Sequence, residues 1–350
     1  MFHDPSGSSI RPHRNGAFDL PEILGNMTVH PSPMQDCQSA AGVITDEGFR
    51  FGRIHLPPLA SNHARIRVQT VGICRTDQLV VEGQLKTARP MIPGHELSGV
   101  IAEIDSQVSP QLEFRAGQNV TINPLLPCES CVFCCQGQFS DCQNTRFVGV
   151  DLWGACGQYL DVPVASLHLI PPNTLPPAHV VFAEPVAASL AVLDTSITTA
   201  GNGVIVGGNR IAVLTQRILL AHGFTDVPVL TLGQFAKVPD HHFDFAIEAG
   251  VDTKGMNLIV QKLRPGATLV VKSRCYQPFE CISANWLPKR PRLEFAHYGS
   301  FPKAIELLQT ERVRVDDLVG DTFPLRECVQ AFRHACDSEI LKTMIDCQAT

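Results

Sequence analysis

The sequence predicts a chain of mixed α/β plus β class, in which a β-rich region is followed by an α/β region built on a parallel sheet with crossovers. Three observations carry this. Short β-rich runs alternate with turns from about Met34 to Ile170; apolar strands alternate with helices from Val204 to Val271; and a dense cysteine loop lies inside the first of these regions.

Taken in order, residues 1–33 show little periodic apolar pattern and read as an N-terminal extension. Ala64–Val71, Ser98–Ile104 and Gln118–Ile122 are rich in β-branched residues and bounded by turn formers, the pattern of strands. Pro171-Pro-Asn-Thr-Leu-Pro-Pro177 is stiff and marks the approach to a domain boundary. Beyond it, Val204-Ile-Val is a short buried strand that runs into Gly207-Gly208. The helix that follows places Ile211, Leu214, Ile218 and Leu219 on one face and stops near His222-Gly223. Val227–Leu232, Phe243–Glu248 and Ala267–Val271 are further strands, and a helix over Lys254–Leu263 ends at Pro265-Gly266. Strands alternating with helices argue a parallel sheet with crossovers. A helix over Pro302–Gln309, another over Cys328–Cys336 and a strand over Leu341–Ile345 complete the reading.

A chain of 350 residues, 44% of them hydrophobic, has room for two domains. Its net charge of −6 offers no basic footprint, so nucleic acid is not an expected partner. The first fifteen residues are polar, and no apolar run reaches the roughly 20 residues of a membrane span. The thirteen cysteines therefore fit a reducing cytoplasm, with metal-bound and free thiols, better than a secreted disulfide scaffold.

The cysteine loop is the sharpest chemical signal. Cys128, Cys131, Cys134 and Cys142 stand as C-x2-C-x2-C-x7-C, the spacing that folds four thiolates around one tetrahedral ion. Cys135 is the spare, because adjacent cysteines rarely point at one ion. A second set is dispersed: Cys74-Arg75-Thr76-Asp77 and Gly94-His95-Glu96 precede the loop, and Glu184-Pro185 follows it. A thiolate, an imidazole and a carboxylate make a workable open zinc site with one position left for water or substrate. Each motif alone is a weak signal: a single Cys beside Asp is most often a buried thiol, and a lone His-Glu pair is usually surface or core.

Together, and in this order along the chain, these motifs resemble the zinc-dependent medium-chain dehydrogenases, the alcohol and polyol dehydrogenase relatives. The resemblance runs from about Met34 to Ile345. It implies a GroES-like catalytic domain over 34–178 and 318–350, a structural-zinc lobe over 124–146, and an inserted Rossmann nucleotide-binding domain over 179–317. It also implies two Zn2+ ions, one catalytic and one structural, and NAD or NADP as cofactor. Carried over residue by residue, Cys74 and His95 hold the catalytic zinc and either Glu184 or Glu96 completes the set. Asp77 orients His95, and Thr76 accepts the substrate hydroxyl proton. A relay histidine common three positions after that threonine is here Leu79. Arg75, Gly207, Gly208, Asn209, Arg210 and Ile211 fall at cofactor-binding positions. The implied substrate is a small alcohol or carbonyl compound. The implied assembly is a homo-oligomer, a dimer or tetramer, paired along an edge strand near Arg290–Ala296, with a monomer as the alternative.

The chain departs from that pattern in three places. The glycine fingerprint G-x-G-x-x-G has Asn209 at its second glycine and Ala212 at its third. Arg210 either pairs with phosphate or is a solvated residue at a helix start. No acid stands at the end of the second strand to hold a ribose, and no arginine to hold a 2′-phosphate, so NAD and NADP stay open. Only Gly233–His242 separates the second strand from the next, too little for a full crossover, which predicts the loss of one βα unit. The leading reading is a zinc-dependent oxidoreductase. The alternative is a dehydrogenase-derived scaffold that binds zinc or a partner without turnover.

Overall fold

A computed structural model describes residues 38–108, 113–274 and 278–349, so the N-terminal extension lies outside the described residues. A hairpin opens the described chain: β1 (Gln38–Thr45) pairs antiparallel with β2 (Gly48–His55). Next come β3 (His63–Gly72), the short helix α1 (Arg75–Val81), β4 (Glu96–Ile104) and β5 (Asn119–Ile122). The cysteine lobe hangs between two short strands, β6 (Leu125–Leu126) and β7 (Arg146–Phe147), and contains one helical turn, α2 (Val132–Cys135). β8 (Tyr159–Pro163) and β9 (Leu167–Ile170) close the β-rich region. In β3, Ala64, Ile66, Val68 and Val71 are buried, and they pack in one core with Leu97, Ile101, Val120 and Ile122.

After the proline-rich segment, α3 (Pro177–Val180) and α4 (Ala183–Leu190) bury every residue from Val180 to Val192. The run from Pro177 to Asp194 is long and apolar enough for a membrane span by length and composition only; here it is packed inside the fold. The parallel sheet then begins. β10 (Gly203–Val206) leads into α5 (Arg210–Ala221), which stops at His222 and Gly223, the latter at φ +89°. β11 (Val229–Leu230), the single turn α6 (Leu232–Phe235), β12 (Phe243–Glu248), α7 (Thr253–Lys262), β13 (Leu263–Val271), α8 (Ser283–Lys289) and β14 (Arg292–Phe295) follow. The order is β11-β10-β12-β13-β14, all parallel. The central strands β10 and β12 are largely apolar and buried because both faces of the sheet are covered there, one core containing Ile205 and Ile247 and the other Val204, Val206 and Ala246.

A doubly wound dinucleotide-binding sheet has strand order 3-2-1-4-5-6. Among the described residues this one has five strands and lacks the outermost, as the short Gly233–His242 link predicts. The crossover from β11 past β10 to β12 uses only α6, whose Thr231 cap accepts from the Gln234 N–H. β11 is two residues long where Val227–Leu232 predicts six, since it pairs with β10 alone and no outer strand extends it.

α9 (Phe301–Gln309) brings the chain back to β15 (Val319–Pro324), α10 (Cys328–His334) and β16 (Lys342–Asp346). β16 pairs antiparallel with β3 and parallel with β15, so the C-terminal strands join the first sheet. That return sets Lys342 beside residues more than two hundred positions earlier.

Candidate active site

Only Ile73 and Cys74 separate the end of β3 from the start of α1, and that joint builds half of the site. Cys74 caps the helix with extended backbone, φ −102° and ψ 161°. Asp77, one turn in, is fully buried and points back: its Oδ2 accepts from the Cys74 N–H at 2.9 Å. Its Oδ1 accepts from the Gly94 N–H at 2.9 Å and from His95 Nδ1 at 3.0 Å. With Nδ1 engaged, His95 offers Nε2 to the site, the arrangement that fixes a metal-binding tautomer. Gly94 has φ +105°, and a Cβ there would lie 2.9 Å from the Cys156 nitrogen, so only glycine brings His95 this close to Asp77. Burial works against the imidazolium, but the Asp77 charge and hydrogen bond, with help from Cys74, hold the His95 pKa well above its ordinary value.

The donor atoms of Cys74, His95 and Glu96 lie within 4.8 Å of one another. This soft-plus-hard set fits zinc, and it is open on the cavity side. Glu184, on α4, places Oε1 3.9 Å from His95 Nε2. Each glutamate is held by a donor that sequence reasoning did not single out. Lys342 Nζ bonds Glu96 Oε2 across 246 positions, both groups buried. The Tyr298 hydroxyl donates to Glu184 Oε1. Burial raises the Glu184 pKa, with His95 opposing and Glu96 reinforcing the shift. Burial and the Glu184 charge hold Tyr298 well above its usual value, so it remains the donor.

The lobe fits a second, closed site. The four sulfurs of Cys128, Cys131, Cys134 and Cys142 lie within 4.8 Å of one another, with Cys131 Sγ 3.5 Å from Cys134 Sγ and 3.9 Å from Cys142 Sγ. Zinc–sulfur arms of about 2.3 Å give tetrahedral edges of roughly 3.8 Å. Hydrogen bonds from Ser130 and the Cys131 backbone bring the Cys128 thiol down to about 5, while burial and its sulfur neighbours push Cys134 up to about 12. Cys135 is exposed and turned to the Ser130 carbonyl, outside the cluster.

One cavity of about 850 Å³ joins the open cluster to the parallel sheet. Its wall includes Cys74, Arg75, Thr76, Leu79, His95, Glu96 and Glu184 on one side and Gly208, Asn209, Arg210 and Ile211 on the other. It therefore lies outside the carboxyl ends of the parallel strands, where ligands bind in open α/β sheets. Trp153 is not in this wall; it is partly exposed and donates to the Pro90 carbonyl.

The crevice fits a dinucleotide, on fewer main-chain donors than a glycine fingerprint supplies. Gly207 is required, since a Cβ there would sit 2.2 Å from the Ala249 carbonyl oxygen. Asn209 caps α5 itself: Oδ1 accepts from the Ala212 N–H at 3.0 Å, and Nδ2 donates to the Ala249 carbonyl at 2.7 Å. The Arg210 N–H donates to the Glu339 carbonyl at 2.9 Å, and its guanidinium to the carbonyls of Ile340 and Leu341, each at 3.2 Å. Arg210 is half-buried in the cavity wall and ties the helix start to the C-terminal segment. The Ile211 N–H carries no such bond among the described residues. Arg75 donates to Gln78 Oε1 at 2.9 Å, and at the end of β11 Thr231 stands where a ribose-binding acid would.

Two sheets joined by a cleft that carries a candidate metal-ligand set define a two-domain dehydrogenase architecture, and comparison with known proteins agrees. The family model for the alcohol dehydrogenase GroES-like domain matches residues 60–172. D-altritol 5-dehydrogenase of Agrobacterium fabrum is 30% identical over 306 residues, covering 79% of this chain and 89% of that protein. The 2-dehydro-3-deoxy-L-galactonate 5-dehydrogenase of Pseudoalteromonas atlantica is 30% identical over 351 residues, covering 89% of this chain and 99% of that protein. Among solved structures, a zinc-binding dehydrogenase from Sinorhizobium meliloti bound to NADP superposes with a TM-score of 0.80 at 21% identity, over 89% of this chain and 99% of that one. The chain belongs to the zinc-dependent medium-chain alcohol and polyol dehydrogenase family.

Proposed function

We propose that this protein is a zinc-dependent oxidoreductase that interconverts an alcohol, polyol or sugar with its carbonyl by hydride transfer to or from NAD or NADP. The observation that carries it is the convergence of the Cys74, His95 and Glu96 donor atoms on the wall of the cavity that also takes in the start of α5. The similarity to an altritol dehydrogenase and a dehydro-deoxygalactonate dehydrogenase supports a polyhydroxylated substrate. Residues 34–178 with 318–350 serve as the catalytic part and 179–317 as the nucleotide-binding part.

Cys74 and His95 hold the catalytic zinc, with Glu96 or Glu184 completing the set; Cys128, Cys131, Cys134 and Cys142 hold the structural ion. Bound there, zinc supplies acidity to an alcohol and polarisation to a carbonyl, and the nicotinamide supplies the hydride acceptor or donor. The protein's own residues do the rest. Asp77 fixes the direction of His95. Lys342 and Tyr298 each fix one carboxylate. Thr76 lines the cavity and accepts the substrate hydroxyl proton. Leu79 beside it cannot relay that proton, so it leaves by water. Gly207, Gly208, Asn209 and Ile211 frame the dinucleotide, with Arg75 and Arg210 at its borders.

A reducing cytoplasm suits the open thiolates. β14 lies at the sheet edge with Leu293 and Phe295 exposed, and pairing of two copies there makes a homo-oligomer. The test is direct. Zinc content of two per chain, and NAD(P)H absorbance that changes with a polyol panel including an altritol, are expected; Cys74→Ser abolishes turnover and keeps the lobe zinc. Absence of NAD(P)H binding at millimolar concentration, with no turnover of any alcohol, would overturn the reading.

A further inference from the structure

The cavity holds two cations that the chemistry described so far leaves unused. Lys272 follows β13, and Arg274 lies two residues on; both are in the cavity wall with Cys74, His95 and Glu184. Lys272 Nζ donates to the carbonyls of Ala296 and His297, each at 3.3 Å. An ammonium has three N–H donors, so one is left. The Arg274 guanidinium lies over the Phe147 ring at 4.9 Å and the Tyr298 ring at 5.5 Å, and donates to His297 Nε2. Among the described residues no carboxylate lies within ion-pair distance of either head group.

The surroundings place this pair next to the chemistry. Phe147, one ring under Arg274, packs edge-on against His95 at 4.9 Å, and Tyr298, the other, bonds Glu184. His297 is a positioning residue: burial, followed by the charges of Arg274 and Lys272, takes its pKa down to about 4, so it is neutral and accepts from Arg274. The arginine is therefore held in one orientation by two rings and a ring nitrogen. Adjacent strands of a sheet lie about 4.8 Å apart, and β12 stands between β10 and β13, which puts Lys272 roughly 10 Å across the sheet from the turn that starts α5. The pair belongs to the substrate end of the cavity, not to the phosphate end of a dinucleotide. Two cations, one of them pre-oriented and able to present parallel N–H groups, match a planar or tetrahedral oxyanion.

We propose that Lys272 and Arg274 form a subsite for the carboxylate or phosphate group of the substrate, so that the protein acts on a sugar acid or a polyol phosphate in preference to a neutral polyol. This rests on the proposed oxidoreductase reading for the position of the reacting hydroxyl, but not for the binding of the anion.

The test uses the full chain loaded with zinc and a matched set of one carbon skeleton: a hexitol, the hexonate, and the hexitol 1-phosphate. Hydrogen bonds to a charged group contribute about 1.5–3 kcal/mol, or roughly 10- to 100-fold in affinity. One of the two anions is expected to exceed the hexitol in kcat/KM by about that factor, and which one does so distinguishes carboxylate from phosphate. Arg274→Gln and Lys272→Met collapse this ratio to near unity, chiefly through KM, and Arg274→Lys restores part of it. Calorimetry of the same anions without cofactor separates the two readings. Anion binding lost in Arg274→Gln, with no turnover of anything, keeps the subsite and removes the oxidoreductase. Turnover of the hexitol at least as good as that of both anions, or variants that weaken NAD(P)H rather than the anion, overturns the subsite.

Discussion

Replacing Asp77 with Asn tests the architecture of the site at its centre. The carboxylate accepts three bonds, from Cys74 N, Gly94 N and His95 Nδ1, at 2.9, 2.9 and 3.0 Å. An asparagine of the same shape has one acceptor and one donor at its tip. The arrangement that keeps most bonds leaves its oxygen facing Gly94 and His95 and turns its NH2 against the Cys74 N–H. One charge-assisted bond is lost outright, worth about 1.5–3 kcal/mol, and the two that remain weaken to neutral strength. Because the group is wholly buried, no water replaces the lost partner. The imidazole also loses the anion that makes Nε2 a better ligand, for which a 10- to 100-fold loss of metal affinity, about 1.4–2.7 kcal/mol, is expected. Titrating metal-stripped protein with zinc against a competing chelator resolves the two ions. The open site should weaken by this factor while the four-cysteine site keeps its affinity. Equal weakening at both sites, or unchanged affinity at the open one, would refute the assignment of Asp77 to His95.

Other expectations follow from individual contacts. Cys131→Ser should lower zinc from two ions per chain to one, read by elemental analysis, because a closed site needs all four ligands. Tyr298→Phe leaves the buried Glu184 carboxylate without its donor and should cost about 1–3 kcal/mol in denaturant unfolding; no loss would mean the carboxylate finds another partner. Asn209→Gly should bind NADH more tightly, by about tenfold, since glycine at a helix N-cap costs only a few tenths of a kcal/mol while the Ala212 N–H becomes free for phosphate; weaker binding would show that the asparagine itself holds the cofactor.

The last expectation concerns pH. Burial lowers the Lys272 pKa to about 8, with Arg274 reinforcing and Glu184, Glu248 and Cys74 opposing. Below that value the ammonium is charged and anion binding is complete; above it the charge is lost, so KM for an anionic substrate should climb from about pH 8. Lys272→Arg stays charged and should flatten the profile. Stability moves the other way: the folded pKa lies below the unfolded one, so the folded state sheds this proton first and stability rises between about 8 and 10.5, measurable by thermal unfolding.

Local periodicity was enough wherever a segment's partners are generic. Phe243–Glu248 is a strand at its expected bounds, because a short apolar run covered on both faces has no other stable use. α5 occupies the helix expected after the glycines and stops at His222 as expected, with Asn209 as its cap. The helix expected over Lys254–Leu263 is α7 (Thr253–Lys262), but the Pro265-Gly266 pair expected to end it falls inside β13, beside an irregular register with β12. The cysteine spacing needs only a short loop to close, so the lobe was legible from its motif.

By itself, then, the sequence determined the class of fold, the shortened nucleotide sheet and the residue types of both candidate metal-ligand sets, since these depend on near neighbours and on chain length between elements. Tertiary structure alone decided what surrounds them. It chose the Lys342–Glu96 and Tyr298–Glu184 pairs, turned Asn209 and Arg210 inward to bind the protein's own carbonyls, and set Lys272 and Arg274 in the cavity. Each of these contacts joins residues brought together by sheet order and by the return of β16 to β3. No local pattern encodes such a meeting, because its chemistry appears only when the strand ends converge.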